Sequence, residues 1–221
     1  MKGVLQGSRG STHVIIDAGR ALAAGTSDDN INWNAPLSRY NLLFGFSAAA
    51  LIRPDSATAP ASDLAIFSKR NSSATASSGW QIGIENGTNT FDVEISDGAS
   101  EAGANSLVAV ETTKSRLIVV TYDRSNLRIY VDGILRATTA TSVAVGNNSE
   151  PIRLFGFAGS TNVFDGSASV AALWNRPLSQ GEISKLWSDP YIMWKTELHK
   201  EFMLGLAGGG ARFQTFFLNF G

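Results

Sequence analysis

The 221-residue chain predicts an all-β fold: an antiparallel jelly-roll sandwich of two sheets, with one short helix after the last core strand and an extended C-terminal tail. Three observations carry that expectation. From Leu42 onward, short apolar or alternating runs are separated by turn residues, and no long stretch between them has a helical period. A capping box then stands directly after the last of these runs.

Composition bounds the remaining choices. A hydrophobic fraction of 43% is ample for the core of one large β domain, and the 18 basic residues nearly cancel the 19 acidic ones. Without a long run of either sign there is no electrostatic footprint for a polyanion, so no nucleic acid partner is expected. The absence of cysteine excludes disulfides, thiolate metal sites and cysteine nucleophiles. Residues Met1 to Gly10 lack the apolar core of a secretory signal, and no later segment is long and apolar enough to span a membrane. The expectation is a soluble chain outside the general secretion route, with no membrane insertion.

Residues 1–35 mix Val14-Ile-Ile16 with Gly, Ser, Asp and Asn, and read as an N-terminal arm or first strand followed by loops. The sandwich is assigned to residues 36–190. Its strands are expected at Leu42 to Ile52, Leu64 to Ser68, Trp80 to Glu85, Thr90 to Ile95, Leu107 to Val110, Leu117 to Tyr122, Leu127 to Val131, Ile152 to Phe157 and Val170 to Trp174. In the stretch around Trp80, the two-residue repeat puts Trp80, Ile82 and Ile84 on the core face and Gln81, Gly83 and Glu85 on the other. Leu127, Ile129 and Val131 share a face in the same way. The Asp132-Gly133 pair that follows suits a type I′ turn, which needs positive φ at both central residues, so a tight hairpin is expected.

Ser179-Gln-Gly-Glu182 is the capping box: the serine oxygen accepts from the Glu182 N–H, and the Glu182 carboxylate reaches back to the serine N–H. A helix should follow, with Ile183, Leu186 and Trp187 on one face and Pro190 ending it. Residues 191–221 form a C-terminal extension. Tyr191 to Leu204 fits neither period cleanly, Gly205 to Gly210 reads as a hinge, and Ala211 to Gly221 is too apolar for a solvated tail. The last segment is expected to dock on a neighbouring subunit or on its own domain.

Several landmarks occur in a characteristic order. They are the aromatic entry strand Leu43 to Pro54 with its Arg53-Pro54 ending, Ile66-Phe-Ser-Lys69, Trp80 to Glu85, and the hairpin carrying Thr121-Tyr-Asp123 and Tyr130-Val-Asp-Gly133. Phe164-Asp-Gly166 and the helix entry Asn175-Arg-Pro-Leu-Ser179 close the series. From Leu42 to Trp187 the chain resembles the concanavalin A-like lectin/glucanase superfamily, in its laminin-G and pentraxin-like branch, a domain also familiar from bacteriophage structural proteins. The resemblance implies a lectin-like scaffold. Many relatives carry an acidic pair shortly after the Phe-x-Gly step, where Ser169 and Val170 stand here. Calcium is therefore not supported, and no cofactor is expected. The tryptophan that relatives often have near Arg116 is also missing.

The glucanase branch uses closely spaced carboxylates on one strand face. The nearest candidates in this chain, Glu94 and Asp97, are three apart and face opposite sides of a strand, with Ser96 at the middle position. His13 and His199 lie at opposite ends of the sequence, no Gly-x-Ser-x-Gly elbow occurs, and no phosphate-binding glycine loop precedes a helix. No catalytic residue is assigned and the chain is not expected to be an enzyme.

Binding needs no such machinery. Trp33 and Tyr40 read as loop aromatics flanked by asparagines, and Asn162 and Asp165 lie in the loop before the last strand. These four are the carbohydrate-binding candidates. The aromatics fit a plug at the end of the core better than a sugar platform, because large aromatics usually bury, and Asn162 and Asp165 fit Asx turns better than a site, so the four stand as the best candidates for a rim site if the fold has one. Two functional expectations follow. One is a virion structural protein, as a head decoration, fibre or tail-associated subunit. It would contact identical copies or other virion subunits through its termini and would display the lectin-like domain towards a cell-surface glycan. The other is a stand-alone carbohydrate-binding module or lectin, located extracellularly.

Overall fold

The computed structural model describes residues 16–17, 31–33, 42, 45–58, 60–157 and 164–192, the first two stretches as backbone only. In chain order the elements are β1 (Ile16–Asp17), β2 (Ile31–Trp33), β3 (Phe46–Pro54), β4 (Leu64–Lys69), β5 (Gly79–Ile84), β6 (Thr90–Ser96) and β7 (Glu101–Ala109). They continue with β8 (Arg116–Tyr122), β9 (Asn126–Val131), β10 (Ile134–Ala140), β11 (Ile152–Leu154), β12 (Gly166–Trp174) and α1 (Gln180–Ser188). Among the described residues these form two six-stranded sheets, ordered β1-β12-β3-β8-β9-β10 and β2-β11-β4-β5-β6-β7, with antiparallel pairing throughout. The mostly-β sandwich, with one short helix among the described residues, is the fold the sequence predicts.

Alternation assigns the faces. Phe46, Ala48, Ala50 and Ile52 of β3 and Ile118 and Val120 of β8 meet Trp80, Ile82, Val93 and Ile95 of the second sheet in one buried core. Trp80 joins the two layers: its ring lies 5.5 Å from Phe46 and 5.0 Å, edge-on, from Phe67. The residues between those core positions behave differently on the two sheets. Ala49, Leu117, Val119, Tyr130, Val170, Ala172 and Trp174 form a second apolar cluster on the far side of the first sheet, closed by Leu178, Ile183 and Leu186.

Local chemistry explains the junctions. Asp132 and Gly133 have φ values of 54° and 77°, so the β9–β10 turn takes the positive-φ pair expected of it. The capping box is present in both directions around Ser179 and Glu182. Arg176 donates from Nη2 to Glu182 Oε1 at 2.6 Å, fixing the helix entry. Ser47, in β3, accepts the Leu178 N–H at 2.8 Å and donates to the Arg176 carbonyl at 3.0 Å, which ties that entry to the sheet.

Three expectations are corrected. The strand expected at Leu107 to Val110 runs instead over Glu101–Ala109, because backbone pairing to β6 recruits a polar, small-residue stretch without apolar alternation. Leu107 itself is 82% exposed. Ile134–Ala140 is a strand that alternation does not reveal, being an edge strand open to solvent along most of its length. Trp187, expected beside Ile183 and Leu186, is 44% exposed and instead lies over Gly133, where an added Cβ would meet its side chain at 3.0–3.1 Å. The helical period is right; the turn beneath it draws the indole to the rim. The expected hinge and apolar tail lie outside the described residues.

Candidate functional site

The second sheet has a polar outer face. Because Trp80, Ile82 and Ile84 enter the core, Gln81 and Gly83 point the opposite way; because Phe91, Val93 and Ile95 enter it, so do Asp92, Glu94 and Ser96. Register arranges these residues in rows. One row is Ala65, Gly83, Asp92 and Asn105; the next is Arg153, Ser68, Gln81, Glu94 and Gly103; a third is Gly79, Ser96 and Glu101.

Gly83 shapes the middle of this face. A Cβ there would lie 2.7 Å from the Leu64 carbonyl oxygen, 2.9 Å from Asp92 Oδ1 and 3.5 Å from Gln81 Nε2. The carboxyl of Asp92 and the amide of Gln81 therefore converge over the glycine. Gln81 is fully buried and Asp92 is 4% exposed, yet Gln81 Oε1, Gln81 Nε2 and Asp92 Oδ1 have no hydrogen-bond partner among the described residues. Leaving such a group unpaired in a protein interior costs about 1–3 kcal/mol. Folding alone gives no return for these three atoms.

Around that floor lies a charged network. The Arg70 guanidinium, fully buried, donates from Nη1 to Glu94 Oε2 at 3.0 Å and from Nη2 to Glu101 Oε2 at 3.1 Å and the Ala74 carbonyl at 2.8 Å. Glu85 Oε2 accepts from the Asn105 amide and from Thr88 Oγ1 at 2.8 Å. Asp63 Oδ1 accepts the Asn86 N–H at 2.8 Å. Glu94 and Glu101 thus flank one deeply engaged guanidinium, Asp63 and Glu85 lie close enough to act on Asp92 and Glu94, and Arg153 stands two strands beyond Gln81.

The crowding moves protons. Burial first, then repulsion from Glu101, push Glu94 up to about 7, although the ion pair with Arg70 pulls the other way; Asp63 and Glu85 add to the rise. Asp92 is driven well above the usual carboxylate range by burial, reinforced by Glu94, Asp63 and Glu85. A neutral Asp92 is a hydrogen-bond donor as well as an acceptor. Next to the Gln81 amide it offers the paired donors and acceptors that hydroxyl-rich ligands require. Among the described residues, no group of three or more His, Cys, Asp or Glu side chains is placed to hold a metal.

Of the four residues singled out from sequence, Trp33 and Asp165 lie among the described residues. Trp33 is not in a loop: its backbone lies in β2, paired with Ile152, because the short Ile31-Asn-Trp33 run adds an edge strand despite its asparagine flanks. Asp165 does precede β12; it is exposed, and its carbonyl accepts the Asp55 N–H at 3.0 Å. Tyr40 and Asn162 lie outside the described residues. Asp97 follows β6, and its Oδ1 accepts the Ala99 and Ser100 N–H groups at 2.8 and 2.7 Å, an ordinary turn. The same-face pair Asp92-x-Glu94 is not among the sequence candidates. Its signal lies in Phe91-Asp-Val-Glu-Ile-Ser96, whose polar positions alternate with apolar ones opposite Gln81 and Gly83.

Fold and face together place the chain among lectin-like sandwiches. It belongs to the concanavalin A-like lectin/glucanases superfamily, whose laminin-G-type family model matches residues 24–184. No curated protein matches the sequence significantly. Among solved structures it is similar to the carbohydrate-binding module of the Ruminococcus gnavus IT-sialidase, at 13% identity and a TM-score of 0.62 over 78% of this chain and 97% of that one. That module has also been solved bound to α2,3-sialyllactose. Domain 4 of AbnA, an extracellular arabinanase from Geobacillus stearothermophilus solved in complex with arabinotriose, matches at 10% identity and TM-score 0.60, over 79% of this chain and 81% of that chain. The botulinum neurotoxin serotype G binding domain matches at 19% identity and TM-score 0.59, over 80% and 45% of the two chains.

Proposed function

We propose that the protein is a non-catalytic lectin-like module that binds glycan on the polar face of its second sheet, around Gln81 and Asp92. The observation that carries this reading is the convergence over Gly83 of the Gln81 amide and the Asp92 carboxyl, which between them hold three buried polar atoms without partners among the described residues. Sugar hydroxyls both donate and accept, and a few placed polar groups are enough to orient such a ligand. The complexes of similarly folded modules with sialyllactose and arabinotriose support the class of ligand.

Titration calorimetry against glycans selected on an array tests the reading. Gln81→Ala and Asp92→Ala should each weaken binding by about tenfold or more, the loss of roughly one buried hydrogen bond to ligand, with melting temperature retained. Trp33→Ala and Asp165→Ala test the alternative location. Lost binding in those variants, with Gln81→Ala unaffected, would move the site to the loops. Release of reducing sugar from the bound glycan would overturn the non-catalytic assignment.

The second reading, a virion subunit displaying this module, is supported by apolar surface near the start of the C-terminal extension. Ile134, Leu135, Trp187 and Tyr191 are 40–55% exposed. On this reading residues 191–221 form contacts between subunits. Deleting residues 205–221 should leave the sandwich folded and abolish oligomers; a monomer at every concentration, with or without those residues, would leave the stand-alone module as the better reading.

A further inference from the structure

We propose that the polar face selects uncharged glycans and turns away acidic ones, with Gln81 and Asp92 as its hydrogen-bonding floor and Asp63, Glu85, Glu94 and Glu101 as an anionic rim. The inference rests on the glycan-binding reading and adds its ligand class.

Two features of the face lead there. First, the cation that an acidic sugar would seek is already committed. Arg70 is fully buried, and both of its terminal nitrogens donate to protein acceptors: Glu94, Glu101 and the Ala74 carbonyl. A ligand carboxylate could reach those two nitrogens only by displacing one of their partners, while the buried Nε, without a partner among the described residues, is the one donor nitrogen this guanidinium leaves open. Second, every ionised carboxylate of the network makes the potential at the face more negative and so opposes a further negative charge, and the network already acts on its own members in that sense. Burial and its acidic neighbours favour the protonated form of Asp92, which makes the floor less negative than the rim. A neutral hydroxyl loses nothing to this rim, because a carboxylate is a strong acceptor. Rejection by unfavourable charge is a common source of specificity.

Arg153 is a nearby cation that could reverse the outcome. It stands in the row of Gln81, with Ser68 between them. Its Nη1 donates to the Phe157 carbonyl at 3.4 Å, burial opposes its charge, and Glu150 lies close enough to favour it. This guanidinium, whose Nε has no partner among the described residues, stands two strands from the floor, whereas Asp63 and Glu85 act on Asp92 directly and Glu94 and Glu101 share the single cation of Arg70.

The test uses neutral glycans and their acidic counterparts, including lactose against α2,3-sialyllactose and arabinotriose against uronate-containing oligosaccharides, on the full chain at about pH 8, above the Glu94 transition. The expected result is binding confined to neutral members, at least about tenfold tighter than the acidic counterpart. Glu85→Gln, which removes one charge at a half-buried rim position, should narrow that ratio, and a ratio unchanged by the substitution would overturn the charge inference. Equal or tighter binding of the acidic member, abolished by Arg153→Ala, would overturn the charge inference and leave glycan binding standing. No binding to any glycan would overturn the glycan reading and this inference with it.

Discussion

On the first sheet, the face turned away from the core carries Ala49, Leu117, Val119, Tyr130, Val170 and Trp174, and Ile183 and Leu186 of α1 lie against it. On the second sheet, the equivalent face carries Ser68, Gln81, Asp92, Glu94 and Ser96. Both faces follow from the same two-residue alternation, and both are largely removed from water. The first is closed by matching apolar surface, so its stabilisation is complete within the fold. The second keeps an amide and a carboxyl oxygen unpaired and gathers like charges, which opposes folding. A face that is costly to build and has no structural return is where recognition is expected.

The contrast is easiest to break on the closed side. Trp174 is 1% exposed beneath α1. Trp174→Ala should destabilise the protein by about 3–5 kcal/mol, combining lost transfer energy with the cavity left behind. Urea unfolding would measure it, and glycan affinity of the folded fraction should be unchanged. A loss under about 1 kcal/mol would mean that the helix does not seal this face, and the two sides would no longer differ in kind.

The charged side predicts a pH dependence of opposite sense to ordinary acid denaturation. Glu94 rises to about 7 in the folded chain from a reference of 4.5, so between these values the native state holds a proton that the unfolded chain has released. Stability contributed by this group is full below 4.5, falls as pH rises towards about 7, and is lost above it, by an amount on the order of 1–3 kcal/mol. Asp92, also raised by burial, acts in the same direction. The groups held below their usual values, Asp97, Asp123 and Glu182, lose their contribution only as pH falls through the acid range. Melting temperature should therefore decline from about pH 5 to about pH 8. Glu94→Gln isolates the effect: it should flatten the decline, and an unchanged slope would show that Glu94 is ionised throughout.

Much of this architecture is legible in the sequence because burial leaves a periodic trace. Trp80-x-Ile82-x-Ile84, the Asp132-Gly133 turn and the Ser179 capping box each encode their geometry within a few residues. Elements stabilised mainly by backbone pairing do not: β7 is Glu-Ala-Gly-Ala-Asn-Ser over its first six positions and β10 is an exposed edge. The candidate site is only half legible. Alternation places Gln81 and Gly83 on one face, but their meeting with Asp92, Glu94 and Glu101 depends on the register of β5, β6 and β7, which no local pattern specifies. Aromatic residues between asparagines point towards the loops instead, since a buried amide is invisible as such until its lack of partners is seen.

The smallest expected effect is the sharpest test of the comparison. Gln81→Met keeps the length of the side chain and removes both unpaired amide atoms. On the closed face, replacing a well-packed residue can only lose stability; here the variant should match the parent or gain about 1 kcal/mol, because a buried group without a partner is replaced by one that needs none. The same change should remove glycan binding. Loss and gain together would show that the amide is held for a ligand at the expense of the fold. Destabilisation by about 1 kcal/mol or more in urea would show instead that the amide is satisfied in the free protein, and the polar face would then be as structurally complete as the apolar one.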